Sequence, residues 1–380
     1  MSSAHASPPG RFEFLTRQRQ RCLAQVVAAL LLLSPPLVAG QGAPELRITP
    51  QRGALLADGE RFVLFAEATV EPRAKAFAVA FAQVAAMDAN GRALRWRTLQ
   101  GDALAASLLL LSPGMSRLEP GERQVAPGGR AVLWLPELAF PEDAIPASLW
   151  VQLGLIEGGR TVAVSATASL APFTMRRPLR LPVRGEWLAI NGPAAGSPHR
   201  TAALLDDAGL EIGQRHALDL MALVPGVGEQ VLLNTGTGEK NSDYPTFGQT
   251  VLAPASGLVV SAVDGREDHA PMAAPPQGGP AGNHVVLRHG ADQFSILAHL
   301  MKGSLKVREG QFVKEGEPLG RVGNSGHSTA PHLHYQLCDR PDVFRSQGLP
   351  ALFRQVRVRR LGARWLEAAS PLEGDLIESR

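Results

Sequence analysis

The sequence predicts an all-β protein, an N-terminal β-sandwich-like domain followed by a C-terminal domain built on a compact β-sheet. Three observations lead there. Apolar residues come in short or alternating runs, turn signals such as Ala89-Asn90-Gly91 separate them, and Gly and Pro number 39 and 30 in 380 residues. That is the punctuation of many short strands rather than of long helices. A hydrophobic content of 45% and a charged content of 19% are those of a globular chain long enough for two cores.

Residues 1–40 stand apart. Arg11, Arg17, Arg19 and Arg21 precede the apolar run CLAQVVAALLLL and then SPPLVAG. A basic start, an apolar stretch of about 12 residues and small residues beyond it form a secretory signal peptide, with cleavage expected near Gly40. A spanning helix needs about 20 apolar residues, and Pro35-Pro36 cuts the run short. No lipoprotein cysteine follows. The mature chain is expected to be exported, periplasmic or extracellular, and not transmembrane. Taking the segment's four arginines and one glutamate from the chain's 38 basic and 35 acidic residues leaves 34 of each. A net charge of about zero gives no reason to expect a nucleic-acid partner. Cys22 lies in the same segment, so Cys338 remains alone and no internal disulfide is expected.

Residues 45–175 contain RFVLFAEATV, AFAVAFAQVAAMD, RAVLWLPELAF and SLWVQLGLIEGG. This spacing suggests an antiparallel sandwich acting as an accessory domain, although the Ala-rich piece 76–87 suits a helix as well. No polar cluster with catalytic spacing lies here, which leaves a packing or interaction role. A Pro-rich, basic stretch centred on 176–186 reads as a linker with solvated arginines. Residues 187–345 form the second domain and 346–380 a tail of one or two closing strands, alternating apolar and basic residues in LFRQVRVRRLGARWLE.

Histidines are confined to the second half of the mature chain: His199, His216, His269, His284, His289, His299, His327, His332 and His334. His332 and His334, in PHLHYQ, project to one side of a strand with Cα atoms about 6.6 Å apart. They can share a metal, or one can bind it while the other handles protons. Asp219 sits between Leu218 and Leu220 in RHALDLMAL, read as an apolar strand over 215–223, where a carboxylate needs a partner or a metal. His299 closes the apolar run SILAHL. Each alone is as well explained by packing; together they suggest a site. The long loop GREDHAPMAAPPQGGPAGN leaves room for a role of His269 or His327 beside a groove.

In ordered succession, RHALDL, YPTFGQTVLAPASGLVVSAVDG, GNHVVLRHG, FSILAHL, VREGQFVKEGEPLGRVGNSGHST and PHLHYQ resemble the lysostaphin/LytM-type zinc metallopeptidases, which are peptidoglycan endopeptidases. The resemblance covers about 187–345 and implies a duplicated hybrid-motif, barrel-sandwich hybrid-like sheet. It also implies Zn2+ as cofactor and a peptidoglycan peptide as substrate. Asp219 and His334 match the family's aspartate and histidine ligands, and His299 and His332 its two catalytic, non-ligand histidines. The usual first ligand stands four residues before the aspartate, and here that position is Arg215. His199, in NGPAAGSPHR, and His216 are the two replacements, with His199 preferred because His216 is an odd number of residues from Asp219 and would face the other way on a regular strand. His199 also resembles the HR segment of a family branch that reads QRFAIDW where this chain reads QRHALDL.

Three N/O ligands leave zinc an open position for water, as catalytic sites do. The resemblance therefore implies hydrolysis by metal-activated water, with one histidine moving the proton and the other stabilising the oxyanion. Arg215 keeps a second reading in play, an inactive module that binds cell wall or activates another wall hydrolase or divisome partner. A third, a lipoyl-like or permease-like barrel suggested by VREGQFVKEGEPLG, requires an exposed modified lysine or a cytoplasmic phosphoryl relay and does not suit an exported chain.

Overall fold

Strand Arg160–Pro172 shows why this chain builds sheets: buried Val164, Ala168 and Leu170 alternate with exposed Ser165, Thr167 and Ser169. A period of two commits one face to a core and the other to water. The computed structural model describes residues 45–380, except 51, 58–60, 120, 176, 207–208, 225–231, 277–278, 361–364, 368–369 and 380, and except the side chains of 52–57. The expected signal peptide, 1–40, lies outside the described residues.

The molecule is nearly all β. In the N-terminal half a 4-stranded and an 8-stranded sheet face each other, and their inner faces share one core containing Ile48, Ala68, Val70, Val84, Leu133, Val151 and Leu153. The Ala-rich piece 76–87 is strand, not helix: Phe77–Met87 pairs with Ser148–Glu157 on one side and Ala93–Leu99 on the other. Pairing on both edges, with Ala82, Val84 and Ala86 packed inward, overrides the helical preference of alanine.

An 11-stranded sheet dominates the second half. Its middle runs Asn283–Arg288, Phe294–Leu300, Leu333–Cys338, Leu218–Ala222 and Gly185–Asn191, every neighbour antiparallel. The tail joins this sheet through Leu376–Ser379, which pairs with Gly185–Asn191, and Val356–Arg359 beyond it. Within the stretch expected as a linker, Leu179, Leu181 and Val183 are buried in the second core, while Arg177 and Arg184 stay exposed. Behind the sheet, Tyr335 is fully buried, its hydroxyl 3.0 Å from Ser295 Oγ, which lies 2.9 Å from His289 Nε2.

One expectation is corrected. RHALDLMAL is not a strand from 215 onward, because residues 213–216 form a turn and the strand is Leu218–Ala222. Arg215 N donates to Ile212 O and Ala217 N to Gln214 O, closing that turn. Gly213 sits where a Cβ would come within 2.5 Å of Ser346 Oγ.

The two halves meet through apolar contacts at two places, one of them on the 4-stranded sheet. Val132 packs with Leu210 and Ile212, flanked by Leu109, Trp134 and Leu205. Val63 and Phe65 pack with Leu372.

Candidate metal centre

The register of the central sheet assembles the site. Asp219 stands directly opposite His334, which is also opposite Ala298, and Asn191 is opposite Asp219. Two β-bulges adjoin this row. One lies between Ala189 and Asn191, the other where Ala298 and His299 together face the single residue His284. Bulges re-aim side chains beside sites. His299 itself adopts φ 61°, a left-handed conformation that non-glycine residues adopt at a cost.

His299 is held in that pose from all sides. Its N–H donates to Ala281 O, its carbonyl accepts from Gly323 N, and its Nδ1 donates to Ser325 O at 2.8 Å. The segment Gly323–Gly326 can lie so close only because it has no side chain at its ends: a Cβ on Gly326 would fall 2.6 Å from Gly282 Cα, and one on Gly323 2.5 Å from Met301 N. His332 is oriented likewise, Nδ1 donating to Ala330 O at 2.8 Å and lying 3.1 Å from Ser328 Oγ. With both Nδ1 atoms spent on carbonyls, the neutral form of each ring leaves Nε2 as its free lone pair. The two ring centroids are 4.8 Å apart.

Three imidazoles surround one carboxylate, and that of His299 packs against two of them. Asp219 Oδ2 lies 3.0 Å from His199 Nε2 and accepts from Asn191 Nδ2 at 2.8 Å. Asp219 Oδ1 lies 2.9 Å from His334 Nδ1 and 3.5 Å from His332 Nε2. Asp219, His199, His299, His332 and His334 are all less than a tenth exposed. Burial pushes the Asp219 carboxyl up, but His332 and His199 outweigh it and hold the group well below the usual carboxylate range. Burial, with His332 and His334 adding to it, drives the His299 imidazole well below its ordinary value. Burial opposes protonation of His332 too, yet there the Asp219 carboxylate wins and the pKa is raised.

His199, Asp219 and His334 can each offer one donor atom, all within 4.8 Å of one another, and His199 Nε2 and His334 Nδ1 are the nitrogens beside the carboxylate. The set suits a tetrahedral ion, whose ligands at about 2.0–2.1 Å sit roughly 3.3 Å apart. The His334 tautomer suits it as well. Gln336 Nε2 donates to Gly213 O and Val343 O, so its Oε1 faces His334 Nε2 as an acceptor, at 3.0 Å. With an ion bound, His334 would keep its proton on Nε2 toward Gln336 and turn the Nδ1 lone pair to the metal, the orientation that outer hydrogen-bond partners give to metal-binding histidines.

His216 is not in this set. Its ring packs edge-on against Phe65, centroids 6.3 Å apart, and its Nδ1 is buried with no partner among the described residues. Burial, then Arg215 and Arg200, push its pKa down to about 3. Its pH effect follows from linkage. The folded state keeps His216 neutral while the unfolded chain takes up a proton below about 6.5, so stability is complete above that pH and falls as pH drops toward 3. Between pH 7 and 5 the wild type should lose about 2 kcal/mol more than His216→Phe does, measured by urea unfolding at both pH values. Identical losses in the two proteins would contradict this burial.

Asn191 and Gln336 were not singled out in the sequence. Gln336 was legible, since a period of two from His332 and His334 places it on the same face; Asn191 needed the bulge and was not. Of the remaining histidines, His327 lines the cavity of about 310 Å³ over the site, together with Pro280, Thr329 and Phe344. His269, His284 and His289 are tied to the carbonyls of Gly326, Gly282 and Ser256.

Residues 240–344 match peptidase family M23, a span that includes His299, His332 and His334 and begins after Asp219. The chain is 40% identical over 90 residues to an uncharacterized metalloprotease of Haemophilus influenzae, covering 24% of this chain and 16% of that protein. It is 46% identical over 57 residues to the peptidoglycan DD-endopeptidase ShyA of Vibrio cholerae, 15% of this chain and 13% of that one. The matches thus span less than a fifth of either relative's length. Among solved structures, the catalytic domain of lysostaphin from Staphylococcus simulans aligns with 34% of this chain and 83% of that domain, at 22% identity and a TM-score of 0.21.

Proposed function

Because residues 240–344 match peptidase family M23, we propose that the chain is an exported zinc endopeptidase that hydrolyses peptide bonds in peptidoglycan cross-links. The observation that carries this reading is the convergence of His199 Nε2, Asp219 and His334 Nδ1, with His299 and His332 beside them. The peptidoglycan substrate is supported by the name of the Vibrio cholerae relative, and export by the basic and apolar run of residues 1–40.

His199, Asp219 and His334 would hold the ion. Bound there, zinc supplies a Lewis acid for the scissile carbonyl and lowers the pKa of water. The chain's own residues do the rest. His299 and His332 are both placed to turn Nε2 to the cavity, where the neutral ring of one accepts a proton and returns it to the leaving amine while the other, protonated on Nε2 as well, donates to the developing oxyanion. Asn191 and Gln336 fix Asp219 and His334 in their rotamers. The flat strand faces and the cavity beside Thr329 and Phe344 suit an extended peptide.

Arg215 is the observation favouring the alternative, an inactive module that binds wall or activates another hydrolase. Purified full-length protein incubated with peptidoglycan separates the two. The enzyme reading expects new amino termini, abolished by a chelator and restored by zinc. A chain that takes up no zinc and releases no peptides would overturn it.

A further inference from the structure

On the strand Glu67–Val70 of the N-terminal sandwich, Ala68 and Val70 point into the sandwich core, so Glu67 and Thr69 point the other way, toward the second half. Glu67 is fully buried there. A carboxylate in that position requires charged partners, and it has two. Arg200 Nε donates to Glu67 Oε1 at 2.6 Å, and Arg215 Nη1 donates to Glu67 Oε2. Both arginines are at most 2% exposed. Arg200 reaches further into the sandwich: its Nη2 donates to Ala66 O at 2.7 Å and Leu135 O at 2.9 Å, and its guanidinium carbon lies 5.8 Å from the Phe65 ring centroid and 5.7 Å from that of Trp134.

These two arginines belong to the two segments that bring His199 and Asp219 to the site. Arg200 follows His199 in the single helical turn Pro198–Thr201, and Arg215 lies in the turn that feeds the strand Leu218–Ala222. Asp219 is secured by strand pairing on both sides. His199 has no such support. One helical turn is not stable by itself, and this one lacks a side-chain cap, its Ser197 Oγ being buried without a partner among the described residues. What fixes the His199 backbone is the grip of the sandwich on the neighbouring Arg200.

We infer that Glu67 is a positioning residue that sets the spacing between His199 and Asp219, so that the N-terminal sandwich completes the metal centre. The inference rests on the reading of His199 and Asp219 as ligands. It also accounts for Arg215, the arginine standing where the resemblance expects a histidine: a long, forked side chain there spans to Glu67, and the ligand's place is taken by His199 from a segment the same carboxylate holds.

The test is a double-mutant cycle on the full chain, reading zinc affinity by competition with a chromogenic chelator and the visible spectrum of the cobalt-loaded protein. Glu67→Gln keeps the shape and removes the charge. It is expected to weaken zinc binding about 10–100-fold, as loss of an outer partner does, and to alter the cobalt spectrum. In a His199→Ala background the same substitution should add nothing, because Glu67 acts through His199. Wild-type affinity in folded Glu67→Gln, or losses that add in the double variant, would overturn the inference. Should Glu67→Gln not fold, Arg200→Lys serves in the same cycle; it keeps a charge beside Glu67 but not the fork that reaches Ala66 and Leu135, and unchanged affinity would be equally fatal. A wild-type chain that binds no zinc would overturn the ligand reading itself, and this inference with it.

Discussion

His334→Ala will lose zinc on dialysis and release peptides from peptidoglycan no faster than a blank. On the proposed reading His334 is one of three protein donors, and it faces Asp219 at 2.9 Å. Removing a donor outright should exceed the about 10–100-fold that loss of an outer hydrogen-bond partner costs. The fold should survive. The substitution leaves the strand pairing of Leu333–Cys338 intact on both sides, and Gln336 keeps the two carbonyls to which its amide donates. Metal analysis per chain after dialysis, beside the melting temperature, is the check. A variant that keeps a full equivalent of zinc and wild-type turnover would contradict the assignment.

His299→Ala and His332→Ala should behave in the opposite way, retaining zinc while turnover falls about 10²–10⁴-fold, the usual contribution of a positioned proton-transfer group. Neither ring belongs to the three-donor set. Each has its Nδ1 bound to a carbonyl and its Nε2 turned to the cavity, so each can exchange a proton but has no second ring nitrogen to spare. The effect should fall on kcat, since these groups act on charge that develops during reaction. Zinc content and steady-state kinetics on a soluble cross-link peptide measure it. Wild-type kcat in either variant removes that residue from the chemistry.

Much of this was legible in the sequence, for a physical reason. Period-two alternation is a local signal, and it exposed both halves as β and placed His332 and His334 on one face. Asp219 stood out because an acid flanked by leucines in a strand must find a partner. What alternation could not show was anything set by a turn or by contact across the chain. The turn at 213–216 broke the strand assumed to begin at Arg215, so the parity argument against His216 did not apply to the real backbone. His216 is turned against Phe65 by packing instead. Glu67 lies 133 residues from Arg200 and 148 from Arg215, and nothing in a strand reading EATV marks its acid as buried. The pose of His299 depends on a bulge and on two glycines in another loop, which a run of apolar letters does not encode.

The most direct test of the central claim is anomalous diffraction at the zinc edge from crystals of the full chain grown with zinc. The account predicts one strong peak within bonding distance, about 2.0–2.2 Å, of His199 Nε2, an Asp219 oxygen and His334 Nδ1, with His299 and His332 near it and unligated. A peak held by His216, or an ion bound without both Asp219 and His334, would contradict it.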